Sequence, residues 1–295
     1  MTITTKIIED SINNDGIRLT TYVLRYPRYL HAELMTHRVF SRNASSSRAI
    51  PVEKMIAWCL EDPAIPVEWG KNQKGMQADE VLSPEACSEA EKIWLEARDD
   101  AVKHTKRLIE LGVHKQYANR ILEPWHHIAV VLSSTQYANW FALRDHKMAL
   151  PDIQVLAARM ADDYVSSKPK KLWPDDWHLP FVSEEERKLY LPSVLIKASV
   201  ARCARVSYMN HDGTKPDMNK DIALHDMLVV AKPLHASPAE HQATPLRAEE
   251  YNYKNRLSGN FIEGWKQYRK TLQAECVHDL PAHIADRITI PDAKK

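Results

Sequence analysis

The sequence predicts an α+β protein. Three observations lead to that class. Two β-rich runs, residues 3–9 and 17–24, flank Asn13-Asn14-Asp15-Gly16, and residues that tolerate positive φ between such runs make a hairpin. A long amphipathic helix opens at Ser83-Pro84, with serine as the cap and proline at the first helical position. Ala90, Ile93, Trp94, Ala97, Ala101, Leu108 and Leu111 recur at helical spacing before Gly112 stops it. Finally, the seven glycines are scattered and form neither GxGxxG nor GxxxxGK, so a dinucleotide or P-loop cradle is excluded.

The other elements follow in order. Pro27 ends the second strand, and residues 29–39 read as a helix. Residues 116–122 form a shorter helix closed by Pro124. Residues 128–143 are largely apolar and read as a buried helix. Pro151 opens a helix over residues 152–165. Residues 168–192 hold Pro169, Pro174, Pro180 and Pro192 and read as a connector wrapped over the surface, its KPKK run a solvated stretch. A helix over residues 194–205, a polar loop over 211–220 and a helix over 221–230 come next, then the segment HASPAEH. Residues 248–272 are rich in Tyr, Trp, Lys and Arg.

Composition bounds the function. A chain of 295 residues can bury a sizeable core. A net charge of +1 and a pI near 7.8 argue against a general nucleic-acid or membrane-surface binder, while leaving room for one local anion site. Cys59, Cys87, Cys203 and Cys276 are too widely spaced for a zinc ribbon or a disulfide framework. The N-terminus lacks a basic-then-apolar signal pattern, and no run approaches a membrane span. The expectation is a cytoplasmic protein, an infected host cell included.

Residues 36–48, THRVFSRNASSSR, are the most informative stretch. They hold three arginines, one histidine, one asparagine and four serines, with no acid. Arginine offers a planar fork of donors suited to phosphate, and serine adds short-range donors. An anionic, phosphorylated small molecule is the first reading; a solvated basic loop is the other.

The spacing of this stretch resembles the RHRxxSxNExSxR signature of flavin-dependent thymidylate synthases (ThyX). His37, Arg38, Ser41, Asn43, Ser46 and Arg48 fall in place. Three further stretches are similar to the family. YVLRYPRYLHAELMTHR, residues 22–38, resembles its strand-proline-helix lead-in. NWFALRDHKMALPD, residues 139–152, resembles its NFLxLRxxxxAQxE helix, and NRILEP, residues 119–124, its ARxxLP element. ARCARVSY at 201–208 and HASPAEH at 235–241 look like the ARVSF and HxSPFEH motifs, which precede the signature in the family and follow it here. The resemblance therefore implies a circularly permuted order within a mostly antiparallel sheet packed with long helices. Residues 1–167 carry the signature half, 168–192 connect, 193–247 carry the permuted motifs, and 248–295 form an extra tail, all in one intertwined domain. Permutation is tolerated where original termini lie close together at the surface.

The resemblance implies an enzyme that moves a one-carbon unit from methylenetetrahydrofolate to C5 of a pyrimidine deoxynucleoside monophosphate, using FAD and NADPH, as a homotetramer. Position by position it assigns His37, Arg38, Asn139, Ser207, Ser237 and Glu240 to FAD. It assigns Glu33, Ser41, Asn43, Ser46 and Arg48 to the nucleotide, with Arg120 and Arg144 facing the pyrimidine carbonyls as the catalytic cations. No metal, membrane or nucleic acid is implied.

The sequence also departs from the pattern. Thr36 stands at the first signature arginine, Ala44 at the signature glutamate, Glu33 at a glutamine, and Glu123 at the leucine of ARxxLP. Arg42, Lys266 and Arg269 are candidates to replace lost cations. A carboxylate at Glu33 accepts from an exocyclic amine, which raises a cytidine nucleotide as an alternative substrate. The absence of a carboxylate at Ala44 raises a larger 3′ substituent. A non-catalytic flavin or nucleotide binder is a further alternative. A zinc hydrolase built on His126-His127 and HASPAEH is disfavoured, because those spacings do not put ligands on one face.

Overall fold

The chain opens on the expected hairpin. β1 (Thr4–Ile12) pairs antiparallel with β2 (Arg18–Pro27), from Thr4 opposite Arg25 to Ile12 opposite Arg18. Asn13 builds the turn: its Oδ1 accepts from the backbone N–H of Asp15 and Ile17 at 3.1 and 2.9 Å, and Gly16 takes φ of +76°. A side chain is costly there. The fold is that of a computed structural model, which describes residues 3–206, 214–215, 217–230, 234–261, 264–273, 275–276 and 281–285.

Short elements follow: α1 (His31–Met35), β3 (Ser41–Ala44) and α2 (Val52–Glu61). α3 (Pro84–Glu110) is the expected long helix, with Ser83 Oγ accepting from the Ala86 N–H at 3.3 Å and Gly112 at φ of +78° just past its end. α4 (Lys115–Ala118) runs into a 3₁₀ segment, Asn119–Trp125, that contains Pro124. β4 (His127–Ser134), α5 (Ala138–Arg144) and α6 (Pro151–Ser166) come next. The second half holds β5 (Lys170–Lys171), α7 (Glu184–Leu189), α8 (Pro192–Arg205) and α9 (Met218–Val230). β6 (Ala243–Pro245), α10 (Lys254–Leu257), β7 (Trp265–Gln267) and α11 (Ala282–Ala285) complete the described chain.

Among the described residues, one five-stranded sheet runs in the order β3-β4-β2-β1-β5, antiparallel except for the β1–β5 pair. Its two faces differ. Tyr22, Leu24, Tyr26, Ile128, Val130 and Leu132 form one, packed against Trp140 of α5 and Ile153, Leu156 and Met160 of α6. Burying each such side chain stabilises the fold by roughly 1.5–3 kcal/mol. The opposite face carries Val23 and Val131, which pack on Cys203 of α8 and on Val206. That face also carries buried polar groups, Thr21 and Ser133 among them. Arg202 of α8 is fully buried there, with Nε on Asp221 Oδ2 at 2.8 Å and a bidentate pair to Glu186 at 2.6 and 2.8 Å. Arg205 Nη2 reaches Asp221 Oδ1 at 2.6 Å.

Four expectations change. Residues 128–143 are not one helix: residues 127–134 form the interior strand β4, and the helix starts at Ala138. A strand buried on both faces loses the period-2 signal, so its apolar run looks like a buried helix. The helix expected over residues 29–39 is a 3₁₀ turn at Arg28–Leu30 followed by α1, ending before the signature. The connector is more than a surface wrap, because Leu172, His178 and Leu179 are buried and Lys170–Lys171 pairs with β1. The extra tail also joins the fold, with β7 paired to β6 and Trp265 fully buried. Among the described residues no helix is long and apolar enough to cross a membrane.

Candidate active site

Arg144, at the end of α5, gathers three residues from the signature side. Its Nη1 donates to Glu33 Oε2 at 2.8 Å, its Nε to His37 Nε2 at 3.2 Å, and its Nη2 to Thr36 Oγ1 at 3.3 Å. A guanidinium can donate to His37 Nε2 only if that nitrogen carries a lone pair. Burial, with Arg144 and Arg42 beside it, holds the His37 pKa below its usual value. The imidazole is therefore neutral. Thr36, at the position of a family arginine, accepts a bond from Arg144 instead of adding a second cation.

His37 also belongs to an aromatic wall. Its ring lies 4.9 Å from Trp140, edge-on, and 5.7 Å from Phe40, stacked. A cavity of about 780 Å³ opens here, lined by His37, Asn139, Trp140, Tyr137, Phe141 and Tyr164. Trp140 Nε1 is buried with no hydrogen-bond partner among the described residues. Asn139 is exposed at the rim.

The signature continues along β3, where segments from the chain's end cover it. Ser41 is fully buried and its Oγ accepts from Asn260 Nδ2 and Gln267 Nε2, each at 3.4 Å. Asn43, with its amide nitrogen turned toward HASPAEH, donates to Ser237 O and to Arg42 O at 3.1 Å. Glu240 pairs with Arg269, which also reaches Glu275 at 3.2 Å. Of the candidate replacement cations, Arg269 is thus committed to Glu240 and Lys266 to Glu250 at 2.5 Å, while Arg42 Nη1 donates to His37 O at 2.8 Å.

Beyond β3 lies a second cavity, of about 850 Å³, lined on this side by Ala44, Ser45 and Ser46. Arg25, His127 and Trp58 line it further in. Arg25 Nη2 donates to Asp62 Oδ2 at 2.6 Å and to His127 Nδ1 at 3.1 Å. Burial above all pushes His126 and His127 down to about 4, so both are neutral at pH 7. Arg38 and Arg48 are exposed and have no partner among the described residues.

Arg120 stands apart from Arg144. It is half exposed and donates from Nη1 to Glu123 Oε1 at 2.8 Å. That carboxylate also accepts from Ser47 Oγ at 2.9 Å and pairs with Arg28 at 3.1 Å. Glu123, the departure at the leucine of the motif, thereby ties Arg120 to the serine run. Ser207 and part of the polar loop at 211–220 lie outside the described residues.

Cys59 and Cys203 are buried thiols. Burial pushes the Cys59 thiol up to about 12 and raises Cys203 further, and neither lines the aromatic cavity. Among the described residues no group of three or more His, Cys, Asp or Glu is placed to hold a metal.

Residues 16–170 match the family model described as thymidylate synthase complementing protein. The chain belongs to this family. It is a thymidylate synthase-like enzyme of the flavin-dependent class, whose members methylate pyrimidine nucleotides at C5 with FAD. Among solved structures it is similar to a UMP/dUMP methylase, PolB from Streptomyces cacaoi, bound with 5-Br UMP. That likeness has 16% identity, 56% of this chain, 89% of that chain and a TM-score of 0.46. The same methylase bound with 5-Br dUMP shows 16% identity over 56% and 90%, with a TM-score of 0.44. The sequence matches no curated protein.

Within this thymidylate synthase-like frame, the structure groups Glu33, His37 and Arg144, and separately Ser41, Asn43, Ser237 and Glu240. Trp140 is a buried core residue that also borders the cavity, and no motif marks either its indole N–H or His178.

Proposed function

We propose that the protein transfers a one-carbon unit from methylenetetrahydrofolate to C5 of dUMP, giving dTMP, with FAD and NADPH as cofactors. The Arg144–Glu33–His37 cluster, whose His37 lines the aromatic cavity, carries this reading. A flat isoalloxazine suits the wall of His37, Trp140 and Tyr137, and the unpartnered Trp140 Nε1 is a donor available to a bound group. His37, Asn139 and Arg38 would hold FAD on that side, with Ser237, Glu240 and Ser207 from the permuted half. FAD supplies the redox chemistry that the side chains lack, drawing on the reduced nicotinamide.

The chain's own residues bind and polarise the nucleotide. Ser46 and Arg48 would take the phosphate through charge-assisted bonds. Glu33 and Arg144 present an acceptor beside a donor, which matches N3–H and a carbonyl of uracil. C5 is nucleophilic when the pyrimidine carries enolate charge on its carbonyl oxygen, and the preorganised guanidinium of Arg144 would stabilise that charge. Arg120 serves the same ring if a second copy of the chain brings it near. Arg38, Asn139 and Arg48 are exposed, as residues completed by another subunit of a tetramer would be. The bonds from Asn43 to HASPAEH support a permuted order, since the two motifs meet despite their separation in the chain.

The Glu33–Arg144 pair favours one second reading, the same chemistry on dCMP. There the carboxylate accepts from the N4 amine and the guanidinium donates to N3 or O2. The test is tritium release from C5-labelled dUMP and dCMP with FAD, NADPH and methylenetetrahydrofolate. Release from dUMP supports the first reading, and release from dCMP alone supports the second. A protein that binds FAD but releases tritium from neither is a non-catalytic relative.

A further inference from the structure

One line of polar side chains crosses four adjacent strands of the sheet. Asn43 on β3, Ser133 on β4, Thr21 on β2 and Ser11 on β1 stand on successive strands. Two histidines from the second half of the chain bridge them. His241 Nε2 lies 3.2 Å from the Asn43 amide and its Nδ1 lies 2.8 Å from Ser133 Oγ. Ser133 Oγ is 2.6 Å from Thr21 Oγ1, which is 2.7 Å from His178 Nε2. His178 Nδ1 reaches Ser11 Oγ at 2.9 Å. Ser11, Thr21, Ser133, His178 and His241 are all fully buried.

The sense of the whole line follows from one end. The Asn43 amide faces the carbonyls of Ser237 and Arg42 at 3.1 Å, so the group pointing there is the donor Nδ2. Nδ2 also lies 3.2 Å from His241 Nε2, so its two hydrogens are shared among three acceptors and that ring nitrogen must be the one with the lone pair. Burial keeps His241 neutral, at about 3, and His178 neutral as well. A neutral imidazole has one donor and one acceptor. His241 therefore donates from Nδ1 to Ser133, Ser133 donates to Thr21, Thr21 donates to His178 Nε2, and His178 donates from Nδ1 to Ser11. No step conflicts with another. The opposite sense would turn the Asn43 oxygen onto two carbonyl oxygens, which is repulsive.

We infer that this buried line, centred on Thr21, Ser133 and His241, is a positioning device that fixes which end of the Asn43 amide faces the nucleotide. With Nδ2 spent on His241, Ser237 and Arg42, the atom left to a ligand is the acceptor Oδ1. Asn43 thus selects a group that donates, and a sugar hydroxyl of the pyrimidine nucleotide is the donor of that class. The ligand's identity rests on the function proposed above; the line itself does not.

Thr21→Val tests the device, because valine keeps the shape and removes the hydroxyl three links from Asn43. Two readouts separate the claims. In protein labelled with ¹⁵N-histidine, NMR should show His241 and His178 as Nδ1–H tautomers, and Thr21→Val should shift both while Thr21→Ser restores them. Nε2–H tautomers, or a His241 signal unmoved by Thr21→Val, overturn the line. Separately, dUMP affinity should fall about tenfold in Asn43→Ala and comparably in Thr21→Val, recover in Thr21→Ser, and fall no further in the double variant. Effects of Asn43→Ala and Thr21→Val that multiply overturn the positioning role. Failure of the unsubstituted protein to bind dUMP, with the NMR result intact, overturns the nucleotide reading and with it the assignment of Oδ1 to a sugar hydroxyl.

Discussion

Arg144 and Glu33 lie 111 residues apart in the chain and 2.8 Å apart in space. The pair is partly exposed, so its stabilising value is small, and its use is to fix two groups side by side. Glu33→Gln keeps the shape but gives up the charge that orients Arg144. Steady-state kinetics with dUMP should show kcat/KM reduced by roughly 10- to 100-fold, at about 1.5–3 kcal/mol for a charged hydrogen bond. Unchanged kcat/KM would remove Glu33 from the substrate site.

Arg48 is exposed and has no partner among the described residues, so its loss should leave folding alone. Arg48→Ala is expected to raise the KM for dUMP by about tenfold or more, while thermal stability stays within about 0.5 kcal/mol. FAD affinity, read by fluorescence, should not move. A loss of FAD with no change in nucleotide KM would reassign the residue.

Asp221 is the shared carboxylate between fully buried Arg202 and partly buried Arg205. Its side chain is 1% exposed, and it meets Arg202 at 2.8 Å and Arg205 at 2.6 Å. Asp221→Ala leaves those cations short of a counter-charge and should cost about 3–5 kcal/mol in urea unfolding. A loss below 1 kcal/mol would show that Glu186 alone compensates Arg202.

Acid should unfold the protein early. His126 and His127 sit at about 4 and His241 at about 3, with His178 also lowered, against about 6.5 when unfolded. A lowered folded-state pKa means the unfolded chain binds more protons in between. These histidines' contribution is therefore fully present above pH 6.5 and is lost as pH falls from there toward 4. Each contributes a slope of up to about 1.4 kcal/mol per pH unit in that window. Unfolding free energies measured from pH 7.5 to 4.5 check it, and a flat profile would show that these side chains are solvated.

Much of the site was legible because charged motifs keep fixed spacing. His37, Ser41 and Asn43 could be placed along one stretch, and Arg144 follows from its own helix motif. Their partners were not legible. Nothing in the sequence says that Glu33 faces Arg144 or that Arg269 takes Glu240, since both contacts depend on how distant segments return to the sheet. The fold was read well where local chemistry decides, at the Asn13 turn and the Ser83 cap. It was misread at β4, where burial on both faces erases the alternation that marks a strand.

The two lysines of β5 bear on how the molecule behaves in a crowded solution. Lys170 and Lys171 form the outermost strand beside β1, and both side chains are exposed. A bare sheet edge offers unpaired N–H and C=O groups to any other strand, and so templates aggregation. A strand only two residues long, with a proline just before it and a positive charge at each position, gives an incoming chain little to extend. The KPKK run thus serves as a guard against edge-to-edge assembly, and replacing both lysines with valine should turn a well-behaved protein into one that precipitates.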